Sequence, residues 1–190
     1  MMYKKEARRM YNKKRLAITP QEKIKWDDLL LIQFQKVELP FLSTLLSFYP
    51  LEEKNEINTF IITDFLLFQN PGLKIAYPKA NPKNHSMEAL LVSDAMEFAN
   101  NLYNIPEPVS DVILQPDELD LVLVPLLICD RKGNRVGYGK GFYDRYLSQC
   151  RADCLRIGFS YFEPIEEIED SNEFDVPLNL CITPQQVYVF

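Results

Sequence analysis

This sequence predicts an α/β fold: a mostly parallel central sheet with helices on both faces. Three observations carry that reading. The stretch from Thr44 to Tyr77 reads strand, loop, helix, strand in that order, the signature of a βαβ crossover. Leu121 to Pro125 is a near-continuous apolar run, the pattern of a central strand buried on both faces. The chain has 190 residues, 47% hydrophobic and 12% aromatic, enough for one sizeable core, so residues 1–190 are read as one domain.

Residues 3–16 are read as a basic helix, because alanine, lysine and arginine are good helix formers. Lys4 and Arg8 are four apart and share a face. Thr19-Pro20-Gln21-Glu22 is a helix start, with Thr19 as N-cap, Pro20 at the first position and Glu22 closing a capping box. The helix that follows ends before Pro40, with Ile24, Leu29, Leu30, Ile32 and Phe34 expected on or near its buried stripe. Thr44 to Tyr49 reads as a buried strand stopped by Pro50. Glu56-Ile57-Asn58-Thr59 opens a helix that runs to about Phe68, and Asn70-Pro71-Gly72 ends it. Lys74 to Tyr77 is a short strand cut by Pro78. Further on, Met87 to Val92 is expected as a strand and Asp94 to Tyr103 as a short helix. After Leu121 to Pro125 comes a loop to Asn134, then a helix over 142–149 and a strand from Leu155 to Phe159. Closing strands are expected at Leu180 to Thr183 and Val187 to Phe190. Glu166, Glu167, Glu169 and Asp170 read as a solvated acidic surface run.

The chemistry-bearing stretch is Arg135-Val136-Gly137-Tyr138-Gly139-Lys140-Gly141-Phe142-Tyr143-Asp144. The chain has six glycines, and four of them (Gly133, Gly137, Gly139, Gly141) fall between residues 133 and 141. Glycine admits positive φ and close approach of another group. Three glycines at alternate positions turn successive amides toward one point, an anion nest. Arg135 and Lys140 add positive charge, and the helix expected from about Gly141 adds a favourable dipole. Two familiar phosphate loops do not fit. The P-loop pattern requires a glycine at Asn134 and a hydroxyl at Gly141, and the dinucleotide fingerprint requires a third glycine at Phe142. The loop, the cationic pair Lys4/Arg8 and the acids Asp144 and Asp175 point to a nucleoside triphosphate with Mg²⁺, which takes one or two carboxylates plus phosphate oxygens. Taken singly, each residue has a plainer reading. Asp144 is also a helix-start acid, Tyr143 a core aromatic, Glu56 a dipole-complementing acid, and Arg135 and Lys140 surface cations.

Composition narrows the field. The net charge is −6 and the pI about 4.9, which excludes general nucleic-acid binding. No apolar stretch reaches membrane-spanning length, and the N-terminus has no apolar signal core. Cys129, Cys150, Cys154 and Cys181 include no Cys-x-x-Cys pair, and His85 is the single histidine, so the cysteines read as reduced thiols and the expected location is cytoplasmic. His85 is read as a loop residue, not a catalyst.

The pattern Arg-x-Gly-x-Gly-x-Gly-aromatic-Tyr-Asp at 135–144 resembles the signature of the 5-formyltetrahydrofolate cyclo-ligase (5,10-methenyltetrahydrofolate synthetase) family. The likeness is strong over residues 120–184 and looser before them. It implies a three-layer, Rossmann-like sheet of the NagB/RpiA/CoA-transferase-like kind. It also implies ATP- and Mg²⁺-dependent conversion of 5-formyltetrahydrofolate to 5,10-methenyltetrahydrofolate with release of ADP and phosphate. By the resemblance, Lys4, Arg8, Arg135, Gly137, Tyr138, Gly139, Lys140, Gly141, Phe142 and Tyr143 bind ATP, with Lys5/Arg9 as the same N-terminal pair slipped by one residue. Tyr49, Glu56, Tyr138, Gly139, Lys140, Gly141 and Phe142 hold the folate. Lys140, Arg135 and Tyr143 are the catalytic set, and Asp144 and Asp175 hold magnesium. Where family members carry a further acid, this chain has Asn179. Asn104 to Pro108 matches a Pro-Glu-Pro-like stretch of the family. The expected partners are these small molecules and neither nucleic acid nor membrane, and the expected state is a monomer. Two other readings of the same loop stay open: a sugar-phosphate isomerase or transferase that needs no ATP, and a nucleotide-sensing module without turnover.

Overall fold

The structure, a computed structural model, describes residues 1–81, 83–92, 97–101 and 105–190. The chain opens with helices α1 (Lys4–Leu16) and α2 (Pro20–Phe34). Strand β1 (Thr44–Leu46), helix α3 (Thr59–Gln69) and strand β2 (Lys74–Asn81) form the expected crossover unit. Next come β3 (Ser86–Leu91), the small pair β4 (Phe98–Asn100) and β5 (Pro106–Pro108), and β6 (Ile113–Leu114). The last third holds β7 (Leu121–Val124), β8 (Ile128–Cys129), β9 (Arg135–Val136), α4 (Phe142–Leu147), β10 (Leu155–Phe159), β11 (Leu180–Ile182) and β12 (Val187–Val189).

The main sheet has eight strands in the order β12-β11-β10-β7-β1-β2-β3-β6. The strands from β11 to β2 run parallel, and β12, β3 and β6 add antiparallel edges. Side-chain alternation sorts the two faces. Leu45, Leu121, Leu123 and Ile157 pack with Leu30 and Phe34 of α2 and Ile62 and Leu66 of α3. Leu46, Val122, Val124 and Cys181 pack with Tyr146 and Leu147 of α4. Each such side chain stabilises the fold by about 1.5–3 kcal/mol relative to exposure. Helix α1 makes a third cluster, with Ala7 and Tyr11 packed on Leu127, Ile128, Val136 and Ile168.

From β1 the chain crosses through α3 to β2 on one side. From β7 it crosses through α4 to β10 on the other. The strand order therefore reverses between β1 and β7, and ligands of open α/β sheets sit beyond the carboxyl ends at such a point. The loops leaving these two strands carry Tyr49 and Glu56 on one side and Gly137 to Gly141 on the other.

Two buried acids brace this end. Asp130 is fully buried and accepts the amides of Lys132, Asn134 and Ile168 and the Nδ2 of Asn134, so the β8–β9 turn is fixed and tied to the 165–168 segment. Asp27 accepts Lys23 Nζ at 2.7 Å, Tyr161 Oη at 2.6 Å and the Asn58 amide at 3.1 Å, which joins α2 to the N-terminus of α3 and the end of β10.

Several sequence expectations need correction. Ile24 and Ile32 are exposed; the inner stripe of α2 is Asp27, Leu30 and Phe34, because a paired carboxylate takes a position the apolar pattern assigned elsewhere. The helix ends at Phe34, before Pro40 as read, whereas β1 ends at Leu46, short of Tyr49, although Ser47 still donates to the Ala76 carbonyl. Pro78 does not cut β2. Past Ala76 that strand no longer pairs with β1. The amide of Ala80, two residues on and of the same parity as Pro78, points away from β3 to Glu107 Oε1, so proline removes no ladder bond there. Phe98–Asn100 is a strand paired with Pro106–Pro108, not part of a helix; the other residues of that expectation lie largely outside the described set. The β8–β9 hairpin replaces a plain loop, and Gly133 serves its turn. The four cysteines are free thiols, three of them buried.

Candidate active site

The glycine loop leaves β9 and enters α4. Gly139 and Gly141 have φ of 88° and 69°, values that favour glycine, whereas Gly137 does not. The expected nest is therefore built by two of the three motif glycines. Among the described residues, the amides of Tyr138, Gly139, Lys140 and Gly141 donate to no protein acceptor. Four consecutive amides without protein acceptors on an exposed loop are available to an anion.

Helix α1 supplies the facing wall. Arg8 Nε donates to the Gly137 carbonyl at 2.9 Å, and its guanidinium lies against Gly139, where a β-carbon would meet Cζ and Nη2 at 2.9 Å. Lys4 Nζ reaches Asp175 Oδ2 at 2.5 Å. Lys4 and Arg8 are thus half-buried against Asp175 and the loop, while Lys5 and Arg9 are exposed and line the cleft beside Arg8. A cleft of about 430 Å³ opens between α1 and the loop after β1, lined by Lys5, Arg8, Arg9, Lys54 and Tyr138 among others. Lys54 Nζ sits 4.5 Å from the centre of the Tyr138 ring.

Beneath the loop lies a buried network. Glu56 is buried, with Oε2 accepting the Leu51 amide at 2.9 Å and Oε1 accepting the Tyr138 hydroxyl. That hydroxyl also accepts Arg15 Nη2 at 2.5 Å, and Arg15 Nη1 reaches the Leu126 carbonyl at 3.3 Å. Burial and the neighbouring Glu56 carboxylate push the Tyr138 hydroxyl well above its ordinary value. The Tyr143 hydroxyl is buried without a partner among the described residues. Burial first, then Glu56, pushes it up strongly, and Arg135 opposes. An unpaired buried hydroxyl costs about 1–3 kcal/mol. Tyr49 stands edge-on to Phe60 and Phe98, with ring centres 5.3 and 5.1 Å away. Phe142 stacks under the Arg145 guanidinium at 5.8 Å and beside His85 at 6.0 Å.

Arg135 is not at the surface of the loop. It is buried, with Nη1 on the Val176 carbonyl and Nη2 on Asp144 Oδ1 at 2.8 Å. Burial lowers its ordinary value and Asp144 opposes that shift. Lys140, by contrast, is exposed, and its side chain has no partner among the described residues. Asp144 also accepts the Val176 amide at 3.1 Å, which brings Asp175 to the same corner. Asn179 Oδ1 caps the Arg156 amide at 2.9 Å and is committed to β10. The described residues hold no group of three acids, thiols or imidazoles suited to a metal. Asp144 and Asp175 are two carboxylates, each already next to a cation. Such a pair fits Mg²⁺ arriving with phosphate oxygens, not a metal caged by protein alone.

Arg15 escaped the sequence reading. Its signal was there: Lys4, Arg8, Tyr11 and Arg15 follow the 4-3-4 spacing of one helical face. Phe98 escaped because its segment read as helix.

Known proteins resemble this chain in sequence and in fold. The family model of the 5-formyltetrahydrofolate cyclo-ligase family matches residues 2–184. A protein of Mycoplasma pneumoniae named 5-formyltetrahydrofolate cyclo-ligase is 28% identical over 189 residues, covering 97% of this chain and 100% of its own. The Mycoplasma genitalium protein of that name is 36% identical over 69 residues, covering 36% of this chain and 42% of its own. Among solved structures, the 5,10-methenyltetrahydrofolate synthetase of Aquifex aeolicus superposes with a TM-score of 0.79 at 24% identity, over 99% of this chain and 93% of that one. The Mycoplasma pneumoniae 5,10-methenyltetrahydrofolate synthetase gives 0.75 at 24% identity, over 95% and 98%. At that identity the structural likeness speaks for the fold, and the match over 2–184 speaks for the family. The chain belongs to the 5-formyltetrahydrofolate cyclo-ligase family.

Proposed function

We propose that this protein converts 5-formyltetrahydrofolate and ATP to 5,10-methenyltetrahydrofolate, ADP and phosphate. One observation carries the reading: the glycine-loop residue Tyr138 lines a cleft of about 430 Å³ with the cations Lys5, Arg8, Arg9 and Lys54, and its hydroxyl meets Glu56 on the loop after β1. A cationic cleft suited to phosphate therefore adjoins the loop that carries Glu56.

The triphosphate lies along the loop, with the amides of 138–141, Arg8 and Lys140 meeting its oxygens. Magnesium held by Asp144 and Asp175 would neutralise phosphate charge when bound. Glu56 and Tyr49 hold the folate, and the Tyr143 hydroxyl finds its partner there. The formyl oxygen attacks the γ-phosphorus, the bond to ADP breaks, and N10 then adds to the formyl carbon. Loss of the N10 proton and departure of phosphate leave the methenyl bridge. The protein supplies no nucleophile. Its part is to hold N10 beside the carbon, an advantage of several kcal/mol, and to meet developing phosphoryl charge with Lys140 and the loop amides. Arg135 acts from below, fixing Asp144 and the 175–177 segment.

Mixing purified protein with Mg·ATP and 5-formyltetrahydrofolate and following the methenyl chromophore tests this. ATP-dependent product is expected. Turnover without ATP would point to the isomerase-like class, and ATP binding without product to a sensing module.

A further inference from the structure

We infer that Arg15 is a positioning residue that, through Tyr138, locks the glycine loop onto Glu56 and sets that carboxylate for the folate. The inference rests on the placement of the folate at Glu56 proposed above. Arg15 ends the inner face of α1 and is 5% exposed. Its fork meets three segments at once: the Leu126 carbonyl after β7, the Tyr138 hydroxyl in the glycine loop, and Glu56 Oε1 at 3.8 Å after β1. Its own carbonyl accepts Asn55 Nδ2 at 3.1 Å, so the loop holding Glu56 is tied to the same turn of helix.

The chemistry explains why this is more than packing. A buried carboxylate needs partners for its oxygens. Glu56 has both oxygens engaged, one by the Leu51 amide and one by Tyr138. Tyr138 accepts from Arg15 and donates to Glu56, so its single proton has a defined place. Arg15 thereby fixes the orientation of the carboxylate and the distance from it to the loop amides. A lysine cannot replace it, because one ammonium does not span the fork. The Arg15 Nε is buried and unpartnered among the described residues. Arg15 and Glu56 both line a cavity of about 10 Å³, the size of one water.

The test is a mutant cycle on folate affinity, measured by titrating 5-formyltetrahydrofolate without nucleotide. Arg15→Gln and Glu56→Gln are each expected to weaken binding about tenfold, a coupling within the usual span for groups in contact. The double variant is expected to bind no more weakly than Glu56→Gln alone. Tyr138→Phe leaves Arg15 beside Glu56 and decides the matter if Arg15→Gln does not fold. It is expected to raise the folate KM several-fold with kcat little changed, and to be silent when Glu56 is already glutamine. Effects that multiply in the double variants, or a fall in kcat with the folate KM unmoved, overturn the inference alone. Wild-type protein that does not bind the folate overturns the proposed function and this inference with it.

Discussion

Alanine at Gly139 probes whether the loop's shape comes from its backbone. Gly139 sits at φ 88°, and a β-carbon there meets the Arg8 Cζ and Nη2 at 2.9 Å. Holding alanine at positive φ costs about 1–2 kcal/mol. The guanidinium is the far end of a flexible side chain and moves aside, but its 2.9 Å bond to the Gly137 carbonyl is lost with it. That bond contributes about 1 kcal/mol net at a half-buried position. Together the loss is about 2–3 kcal/mol, which for a domain of this size lowers the unfolding midpoint by about 4–12 °C. Gly137 is the internal control. It has no positive φ, and its added β-carbon meets nothing nearer than the Pro125 carbonyl at 3.8 Å. Its alanine variant is expected within about 0.5 kcal/mol of the parent. Thermal unfolding followed by circular dichroism, without nucleotide so that ligand binding does not enter, measures both. Equal losses in the two variants would refute the argument that Gly139 and the seat of Arg8 shape the loop.

Lys140→Ala is expected to unfold at the parent temperature and to lose about 10²–10³ in kcat, the usual cost of a missing transition-state charge donor; unchanged turnover removes Lys140 from the chemistry. Tyr143→Phe deletes an unpartnered buried hydroxyl, so stability is expected to hold or rise slightly while the folate KM increases, and a fall in stability without a KM effect would show a structural hydroxyl. Asp144→Asn leaves Arg135 buried without its counter-charge; stability is expected to drop by about 1–3 kcal/mol and the magnesium titration to shift upward, an unaltered titration removing Asp144 from the metal site. Burial alone would raise the Asp120 carboxyl, but the amides of Ser43 and Thr44 and the Arg151 guanidinium hold it below its ordinary value. Its contribution is therefore present above the unfolded-state value of about 3.9 and fades as pH falls through the lower folded value. The stability gap between parent and Asp120→Asn is expected to narrow below about pH 4, and a gap independent of pH would refute the assignment.

The parallel sheet was legible because its strands are short apolar runs between strong punctuation. Thr19-Pro20 and its capping box also formed as read. Legibility failed where a polar side chain faces inward. Asp27 lies on the inner stripe of α2 because Lys23, Tyr161 and Asn58 meet it there, and no periodicity records those partners. It failed again at Pro78, where edge position decides what a proline costs, and at Phe98–Asn100, whose strand exists only through its pairing with 106–108. For the site, residues within the motif could be named from the chain, whereas Arg15 joins Tyr138 across 123 positions and Glu56 joins it across 82.

Arg135 shows what a short motif can record. Read along the chain, an arginine next to a glycine loop is a phosphate ligand. In the fold it pairs with Asp144, nine residues later, at 2.8 Å. The pair joins β9, where the loop begins, to the first turn of α4, where it ends, and so closes the loop at its base. The same guanidinium holds the Val176 carbonyl, and the Val176 amide returns to Asp144, so Asp175 is carried to that corner as well. Closing a loop of this length costs chain entropy that open glycines make larger. A buried ion pair at its base offsets that cost without occupying the amides. The first and last residues of the ten-residue stretch thus act on each other, and the glycines between them are left free to face a ligand.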